Sequence, residues 1–260
     1  MYCYLGILGS PWVGFENFLR FFNDFQFTRV LTNTLIISSY TIAASFIIHI
    51  LLALSINAIR VRTYQRVVQM ITYMPHFIST VVMVGILLQF FNPRIGALAR
   101  LLSFIGVTRD LMGVPAAFSH IYVWSEIWQS AGWGTIVYLA ALAGVDPNLH
   151  EAALCDGASR LQRIWHIDVP AILPVAAIML IMNSGRVMSL GFEKVFLMQN
   201  NLNLPASQVI STYVYSVSLG SLRPDFSYGA AIGLFNSIIN LALILIVNKL
   251  AVKYSEVGLF

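Results

Sequence analysis

Five long apolar stretches constrain the fold of this chain more than any other feature of its sequence. They cover residues 30–56, 67–91, 120–144, 171–190 and 229–250. Each is close to the ~20 residues that an α-helix needs to cross the hydrocarbon core of a bilayer. Only 10% of the residues are charged, whereas a soluble domain carries about 25%. The stretches lack the apolar/polar alternation of barrel strands, so the sequence predicts an all-α membrane protein with five spans.

The segment before the first span has a different pattern, in which apolar and polar residues are interleaved. The apolar residues are Phe15, Phe18, Leu19, Phe21, Phe22 and Phe25, and the polar ones are Glu16, Asn17, Arg20, Asn23 and Asp24. We expect a helix lying flat in the membrane interface, with a phenylalanine-rich loop as the alternative. The predicted organisation is an extracytoplasmic interfacial segment, 1–29, followed by a transmembrane core, 30–260.

Charge counting leaves the orientation of the spans open. Seven Lys and Arg residues fall on each side of the membrane, although three arginines crowd the short loop 58–66 and favour a cytoplasmic position for it. That orientation places the C-terminus in the cytoplasm and the N-terminus outside. A chain that starts outside without a signal peptide is awkward to insert. Either a preceding membrane helix is missing from this sequence or the start is wrong, and we favour the missing helix.

A polar segment between the third and fourth predicted spans, residues 145–170, has the features of a helical hairpin. Pro147 suits the first turn of a helix, and Glu151 follows where the helix dipole favours a carboxylate. Gly157 can take a positive φ and bend the chain sharply. A second short helix is expected over 159–166, with Pro170 beginning the next span. We name this segment the helical hairpin and expect it to insert into a groove of a partner protein.

The helical hairpin resembles the "EAA" cytoplasmic loop of type I ABC importer permeases. The match consists of Glu151, Ala152, Ala153, Asp156, Gly157, Ala158, Ile167 and Pro170. In that family the loop is the coupling element that docks into a cleft of a cytoplasmic ATPase subunit. The resemblance therefore assigns the ATPase-coupling role to Glu151, Ala152, Ala153, Asp156, Gly157, Ala158 and Arg160. Two departures are Ile164, where Phe is common, and Asp168, where a neutral residue is usual and a carboxylate is expected to alter the partner surface.

The resemblance extends along nearly the whole chain and is greatest to permeases for complex carbohydrates. The similar segments are Pro11 to Phe18, Tyr73 to Pro75, Gly132 to Thr135, Gly191 to Phe196 and Tyr228 to Ala231. The match starts just after the family's first span, so that span is expected to be missing here. The resemblance also places the helical hairpin and the C-terminus in the cytoplasm, within a bacterial inner membrane.

The resemblance further implies partners, a mechanism and the absence of a cofactor in this chain. The implied partners are a second, homologous permease subunit, two cytoplasmic ATPase subunits that bind ATP and Mg, an extracytoplasmic solute-binding protein, a carbohydrate substrate and membrane lipid. The chain would be half of a pore that imports oligosaccharides, acidic ones among the candidates, by alternating access. The runner-up is an ion-gradient-driven secondary transporter or channel, which would need buried ionisable groups on its path.

Catalytic, metal-binding and nucleic-acid-binding motifs are missing from the sequence. Glu193, Asn248 and Val252 precede the three lysines, whereas a Walker loop requires Gly there. The five histidines lack the spacing of a helical zinc site. The net charge of +4 comes from scattered basic residues without the clustering of a nucleic-acid surface. The sequence predicts a chain that is no enzyme and holds no metal.

Polar and aromatic residues inside the third and fourth spans are candidates for the solute pathway, since such groups are costly in lipid. Trp124 and Tyr138 offer ring faces to a sugar, and Gln129 and Asn183 offer groups that bond hydroxyls. Glu126 and Arg186 lie at similar depth, within about 10 Å of the outer boundary at a rise of 1.5 Å per residue. Three interpretations stay open for these charges: they pair, Arg186 awaits an anionic sugar, or Arg186 reaches the headgroups.

Overall fold

Helices make up all the regular structure in the residues described by the computed structural model, which are 11–104, 106 and 108–255. They are α1 (Glu16–Phe22), α2 (Phe27–Asn57), α3 (Arg62–Tyr73), α4 (Thr80–Phe90), α5 (Ala97–Ser103), α6 (Pro115–Ala143), α7 (Pro147–Cys155), α8 (Arg160–Arg163), α9 (Val169–Ser184), α10 (Phe192–Met198), α11 (Leu204–Ser207), α12 (Ile210–Ser218) and α13 (Phe226–Ser255). Single 3₁₀ turns occur at Met74–Phe77 and Leu111–Gly113, and a π-helical turn at Ile164–Asp168. The predicted all-α class is confirmed.

Three helices among the described residues are long and apolar enough to cross a membrane: Phe27–Asn57, Arg160–Ser184 and Phe226–Lys253. The pair Arg62–Phe77 and Thr80–Phe90 adds a fourth if its two bent halves count as one span. α6 contains the third predicted span and is 29 residues long, but polar and small residues interrupt its apolar sequence. The total of five spans therefore stays a prediction.

The second predicted span, 67–91, is not one continuous helix. The chain bends by 96° between Phe77 and Thr80, where Ile78 and Ser79 are extended. Pro75, which lacks an N–H, lies where α3 changes into the 3₁₀ turn that ends just before the break, although Met74 before it keeps helical geometry. The exposed backbone groups find new partners. The side chain of Ser79 caps α4 by accepting the Val82 N–H, and the Ile78 carbonyl accepts a hydrogen bond of 2.7 Å from Gln129 Nε2.

The fourth predicted span ends earlier than residue 190. α9 stops at Ser184, and Gly185 closes its last turn with an N–H bond to the Ile181 carbonyl. The following residues leave the helical ladder, and the Met188 N–H donates instead to Asn240 Oδ1 at 3.0 Å. A side chain of α13 therefore replaces the next helical turn.

Contacts along the chain define two compact units. The first is built from the chain up to Tyr40, from Ser79 to Val123 and from Arg186 to Ala242. The second is built from Thr41 to Ile78, from Trp124 to Gly185 and from Leu243 onward. The predicted boundary at residue 29 lies inside the first unit, and the division into an interfacial segment and a transmembrane core stays a prediction.

An aromatic cluster around Phe21 attaches α1 to the rest of the first unit. Phe21 is only 1% exposed, and its ring lies 4.9 Å from that of Phe27 and 5.5 Å from that of Phe235, measured between centroids. Phe15 and Phe25 of the same segment are 78% and 82% exposed. The segment therefore has one face in the unit's core and another that is apolar and uncovered, which suits the predicted interfacial position.

Asp24 adds polar contacts beside this cluster. Its Oδ2 accepts hydrogen bonds from the hydroxyls of Tyr213, at 2.6 Å, and Tyr228, at 3.2 Å, and its Oδ1 accepts the Gln26 N–H. Burial alone would raise the pKa of Asp24, but these hydrogen bonds outweigh it and hold the pKa below the ordinary value. The carboxylate is therefore charged at neutral pH and connects the segment after α1 to α12 and α13.

The core of the second unit contains Ala53, Leu54, Tyr138, Leu142, Ile172 and Ala176. Glycines of α6 allow close helix contacts in the same unit. A Cβ atom at Gly132 would overlap the Thr72 carbonyl of α3, and one at Gly134 would overlap the His49 ring of α2. Small residues at such positions let helices approach closely where lipid provides no hydrophobic driving force between them.

We expect Gly132→Ala to destabilise the protein, because the new methyl group collides with backbone at Thr72. The expected loss is about 1–3 kcal/mol, typical of overpacking. The matched control is Gly233→Ala in α13, where a Cβ atom meets nothing within 4 Å. Thermal unfolding of the purified variants in detergent tests this, and equal melting temperatures for both would contradict it.

Candidate functional site: the helical hairpin

The helical hairpin begins with a capped helix. Asp146 caps α7 through Oδ1, which accepts the Asn148 N–H at 2.9 Å. Pro147 occupies the first helical turn, where its missing N–H would have no partner in any case. The predicted start of the helix at Pro147 is confirmed, and Glu151 lies in its middle with an exposed side chain.

Gly157 makes the turn of the helical hairpin. Its φ is +77°, in the left-handed region that side chains with a Cβ atom disfavour. Gly157 N–H donates to the Leu154 carbonyl at 3.0 Å, and Ala158 N–H donates to the Ala153 carbonyl at 2.8 Å. A Cβ atom here would meet nothing within 4 Å, so the requirement for glycine is conformational and not one of space. The predicted positive φ is confirmed.

The second helix of the hairpin continues into the membrane span. Ser159 caps α8 in a reciprocal arrangement: its Oγ accepts the Gln162 N–H, and its own N–H donates to Gln162 Oε1 at 2.7 Å. The prediction of a separate short helix over 159–166 is wrong, because Arg160–Ser184 is one helix of 25 residues. Pro170 lacks an N–H, and the π-helical turn that precedes it rearranges the hydrogen-bond ladder without ending the helix.

A contact between His150 and Asp168 joins the two arms of the hairpin. His150 Nε2 in α7 lies 3.2 Å from Asp168 Oδ1 in the π-helical turn, and the Asp168 side chain is only 6% exposed. The prediction that Asp168 alters the partner surface is wrong, since its carboxylate points at α7. Sequence reasoning missed this pair, because the two residues are 18 positions apart and only the turn at Gly157 brings them together.

Four large apolar side chains of the helical hairpin are left uncovered by the rest of the chain. Leu149 and Leu154 are each 54% exposed, Trp165 is 70% exposed and Leu161 is 78% exposed. Among the predicted coupling residues, Glu151, Ala152, Asp156, Gly157 and Arg160 are exposed, and Ala153 and Ala158 are partly buried. Exposed apolar groups bordered by charge are typical of a protein-interaction surface. The four apolar residues are functional candidates that the sequence motif did not include.

The candidate pathway residues of α6 differ in exposure. Trp124 is 52% exposed, and Glu126 is half-buried. Gln129 holds the break after Phe77 through its bond to the Ile78 carbonyl, so part of its hydrogen-bonding capacity has a structural use. Tyr138 is only 2% exposed and lies in the core of the second unit. No ring face of Tyr138 is open to a sugar, and we remove it from the candidate pathway.

The remaining pathway candidates lie near the end of α9. Asn183 is half-buried in the last turn of that helix and belongs to the second unit. Arg186 follows the helix end, belongs to the first unit and is exposed. The proposed pairing of Arg186 with Glu126 stays a prediction.

Apolar spans with an exposed, rigid hairpin define a membrane transport subunit that receives its driving force from a partner. The described residues contain no group of three His, Cys, Asp or Glu side chains arranged to hold a metal ion. The chain belongs to the family of binding-protein-dependent transport system inner membrane components, whose model matches residues 45–255. Members are pore-forming permease subunits of ABC importers, and the ATPase is a separate subunit.

Individual relatives cover nearly the whole chain. The polygalacturonan/rhamnogalacturonan transport system permease protein YteP of Bacillus subtilis (strain 168) is 39% identical over 99% of this chain and 80% of its own length. Protein LplB of the same organism is 40% identical over the same shares. A crystal structure of a bacterial ABC transporter involved in the import of the acidic polysaccharide alginate contains a chain with a TM-score of 0.90 and 37% identity, covering 95% of this chain and 86% of that one. These findings confirm the resemblance and do not support a secondary transporter or channel.

We expect His150→Ala to lower the melting temperature of the protein, because it removes the contact that His150 makes with the buried Asp168 side chain. Removing one member of such a contact costs about 1–3 kcal/mol. The double variant with Asp168→Ala should recover part of this loss, since no carboxylate is then left unpaired.

The matched control for this cycle is His166→Ala. His166 is exposed, and its Nδ1 forms a hydrogen bond with the Gln162 carbonyl of its own helix. Thermal unfolding of His150→Ala, Asp168→Ala, the double variant and the His166→Ala control measures the coupling between His150 and Asp168. Strictly additive losses would show that the two side chains do not stabilise each other.

Proposed function

We propose that this chain is one of two permease subunits of an ATP-driven importer of oligosaccharides, acidic ones included. Support comes from the name of one relative, a polygalacturonan/rhamnogalacturonan transport system permease protein, and from a structural neighbour involved in the import of alginate. A further crystal structure shows that alginate transporter with an alginate pentasaccharide-bound periplasmic protein. An extracytoplasmic binding protein of the same kind would deliver the sugar to this chain.

The helical hairpin is the observation that carries the proposal. Its turn is fixed by Gly157, its arms are joined by His150 and Asp168, and it exposes Leu161 and Trp165. A rigid helical hairpin with an apolar surface bordered by Glu151 fits a cleft in a partner protein. We assign this partner as one of two cytoplasmic ATPase subunits, which bind ATP and Mg. The helical hairpin and the C-terminus then lie on the cytoplasmic side of the membrane.

Because α8 continues into α9, movement of the helical hairpin is transmitted directly to a membrane span. Closure of the ATPase subunits on ATP would draw the hairpins of both permease subunits together and open the pore outward. Hydrolysis would then return the pore to its inward-open state. The ATPase can bias this equilibrium only through contacts that differ between the two states, and the hairpin surface provides them.

Sugar would pass along polar and aromatic groups of α6 and the end of α9. Trp124 supplies an exposed ring for stacking on a sugar face, and Gln129 and Asn183 supply amides for its hydroxyls. Arg186 is the exposed cation suited to a uronate carboxylate, with Glu126 as its competing partner.

Gly157→Val should uncouple transport from ATP hydrolysis while leaving the spans folded. The β-branched side chain opposes φ = +77° with a strain of roughly 1–2 kcal/mol. Gly157→Asn is the matched control, since Asn tolerates the left-handed region. In proteoliposomes of the complete importer, we expect sugar-stimulated hydrolysis and uptake to fall with Val and to persist with Asn. Normal uptake with Val would refute the role of the turn.

Arg186→Met separates the interpretations of the outer charges. If Arg186 binds the uronate, the variant assembles with its partners but loses stimulation of hydrolysis by an acidic oligosaccharide. If Arg186 pairs with Glu126, Glu126→Gln weakens assembly and the double variant restores it, because removing both charges is less harmful than leaving one unpaired. Assembly and stimulated hydrolysis are measured on all three variants. Normal behaviour of all three would remove both residues from the pathway.

A further inference from the structure

A cavity of about 430 Å³ lies between the helical hairpin and the adjoining span ends of the second unit. Three arginines line it: Arg60 after α2, and Arg160 and Arg163 of α8. Leu142 and Val145, at the end of α6, give it an apolar side. Two residues of its lining, Glu151 and Arg160, also belong to the predicted coupling set, but that role does not account for Arg60 and Arg163.

The charge in the cavity is not balanced by the residues around it. The acidic groups that line it are Glu151 and Asp168, and Asp168 contacts His150 and interacts electrostatically with Arg163. Three guanidinium groups therefore face two carboxyl groups. Within the described part of the chain, none of the three arginines lies within 4.0 Å of a carboxylate oxygen. Arg163 Nε is buried and has no hydrogen-bond partner among the described residues. A buried guanidinium N–H without an acceptor indicates a site for a ligand oxygen.

The chemistry of the lining selects a phosphate-bearing anion. Guanidinium groups present planar forks of N–H donors that match phosphate oxygens and remain charged at all physiological pH values. The cavity lies where α2 and α6 end and the span Arg160–Ser184 begins, and the ends of membrane helices lie at headgroup depth. Basic pockets at this depth bind anionic headgroups.

We propose that the cavity binds a phosphate group between Arg60, Arg160 and Arg163, supplied by an anionic phospholipid headgroup or by a soluble phosphate ester. The apolar side at Leu142 and Val145 would contact the glycerol or the first methylenes of a lipid. An occupant there touches both arms of the helical hairpin, through Pro147 and His150 of α7 and Arg160 of α8, and the ends of two spans. Binding would therefore stabilise the hairpin against the membrane.

Native mass spectrometry of the purified full-length chain, with phosphatidylglycerol or phosphatidylcholine added, tests the site. We expect phosphatidylglycerol to bind more tightly than phosphatidylcholine. Arg60→Gln and Arg163→Gln should each weaken phosphatidylglycerol binding about fivefold, the contribution of one basic residue near a headgroup. Arg109→Gln is the matched control, since Arg109 is exposed and does not line the cavity. Arg60→Lys keeps the positive charge but loses the planar set of guanidinium N–H donors, so it should bind phosphatidylglycerol with intermediate strength.

Competition with soluble glycerol 1-phosphate separates the two sources of phosphate. Displacement of phosphatidylglycerol by an equal concentration of glycerol 1-phosphate would assign the site to a soluble ester, and persistence of the lipid would assign it to the headgroup. Equal binding of the two lipids would overturn the proposal. So would unchanged phosphatidylglycerol binding in both Gln variants at an unchanged melting temperature.

Discussion

The rest of the structure depends on the requirement that every backbone N–H and C=O group in lipid finds a partner within the protein. Helical hydrogen bonds satisfy this requirement along the spans. At the break between α3 and α4, the freed backbone groups need particular side chains as partners. The Ile78 carbonyl, freed by the bend, accepts its hydrogen bond from Gln129 of α6, and Ser79 caps the next helix. Gly132, one turn further along α6, allows the close approach to α3 that keeps this arrangement together. A polar side chain and a glycine on one helix thus stabilise a bend in another.

The helical hairpin is stabilised by a different set of local interactions, all at its own ends and turn. Caps at Asp146 and Ser159, the left-handed Gly157 and the contact between His150 and Asp168 leave few internal degrees of freedom. Because α8 has no break before α9, a force applied to the helical hairpin reaches the span without being absorbed by a flexible joint. If a partner protein is to move a membrane helix, the surface that it binds must be connected rigidly to that helix.

Local rules predicted the parts of the structure that local interactions determine. The composition predicted membrane helices, Pro147 the start of α7, and Gly157 the left-handed turn, because each of these depends on a residue and its immediate neighbours. Local rules did not predict four features: the bend after Phe77, the early end of α9, the burial of Tyr138 and the inward direction of Asp168. Each depends on a partner more than 10 residues away, and a single sequence does not show which distant side chain will supply it.

The sequence by itself therefore determined the class of protein, the solvent it folds in and the position of the helical hairpin. Hydropathy, helix-terminating residues and the Glu151 to Pro170 pattern act over one or two helical turns, so they can be read in order along the chain. Only the tertiary structure decided which polar groups are structural and which remain open to a ligand or partner. It placed Gln129 on a backbone carbonyl and Asp168 on His150, and it gathered Arg60, Arg160 and Arg163 around one cavity. These assignments depend on how distant helices pack, because packing decides whether a polar side chain meets another part of the protein, water or a ligand.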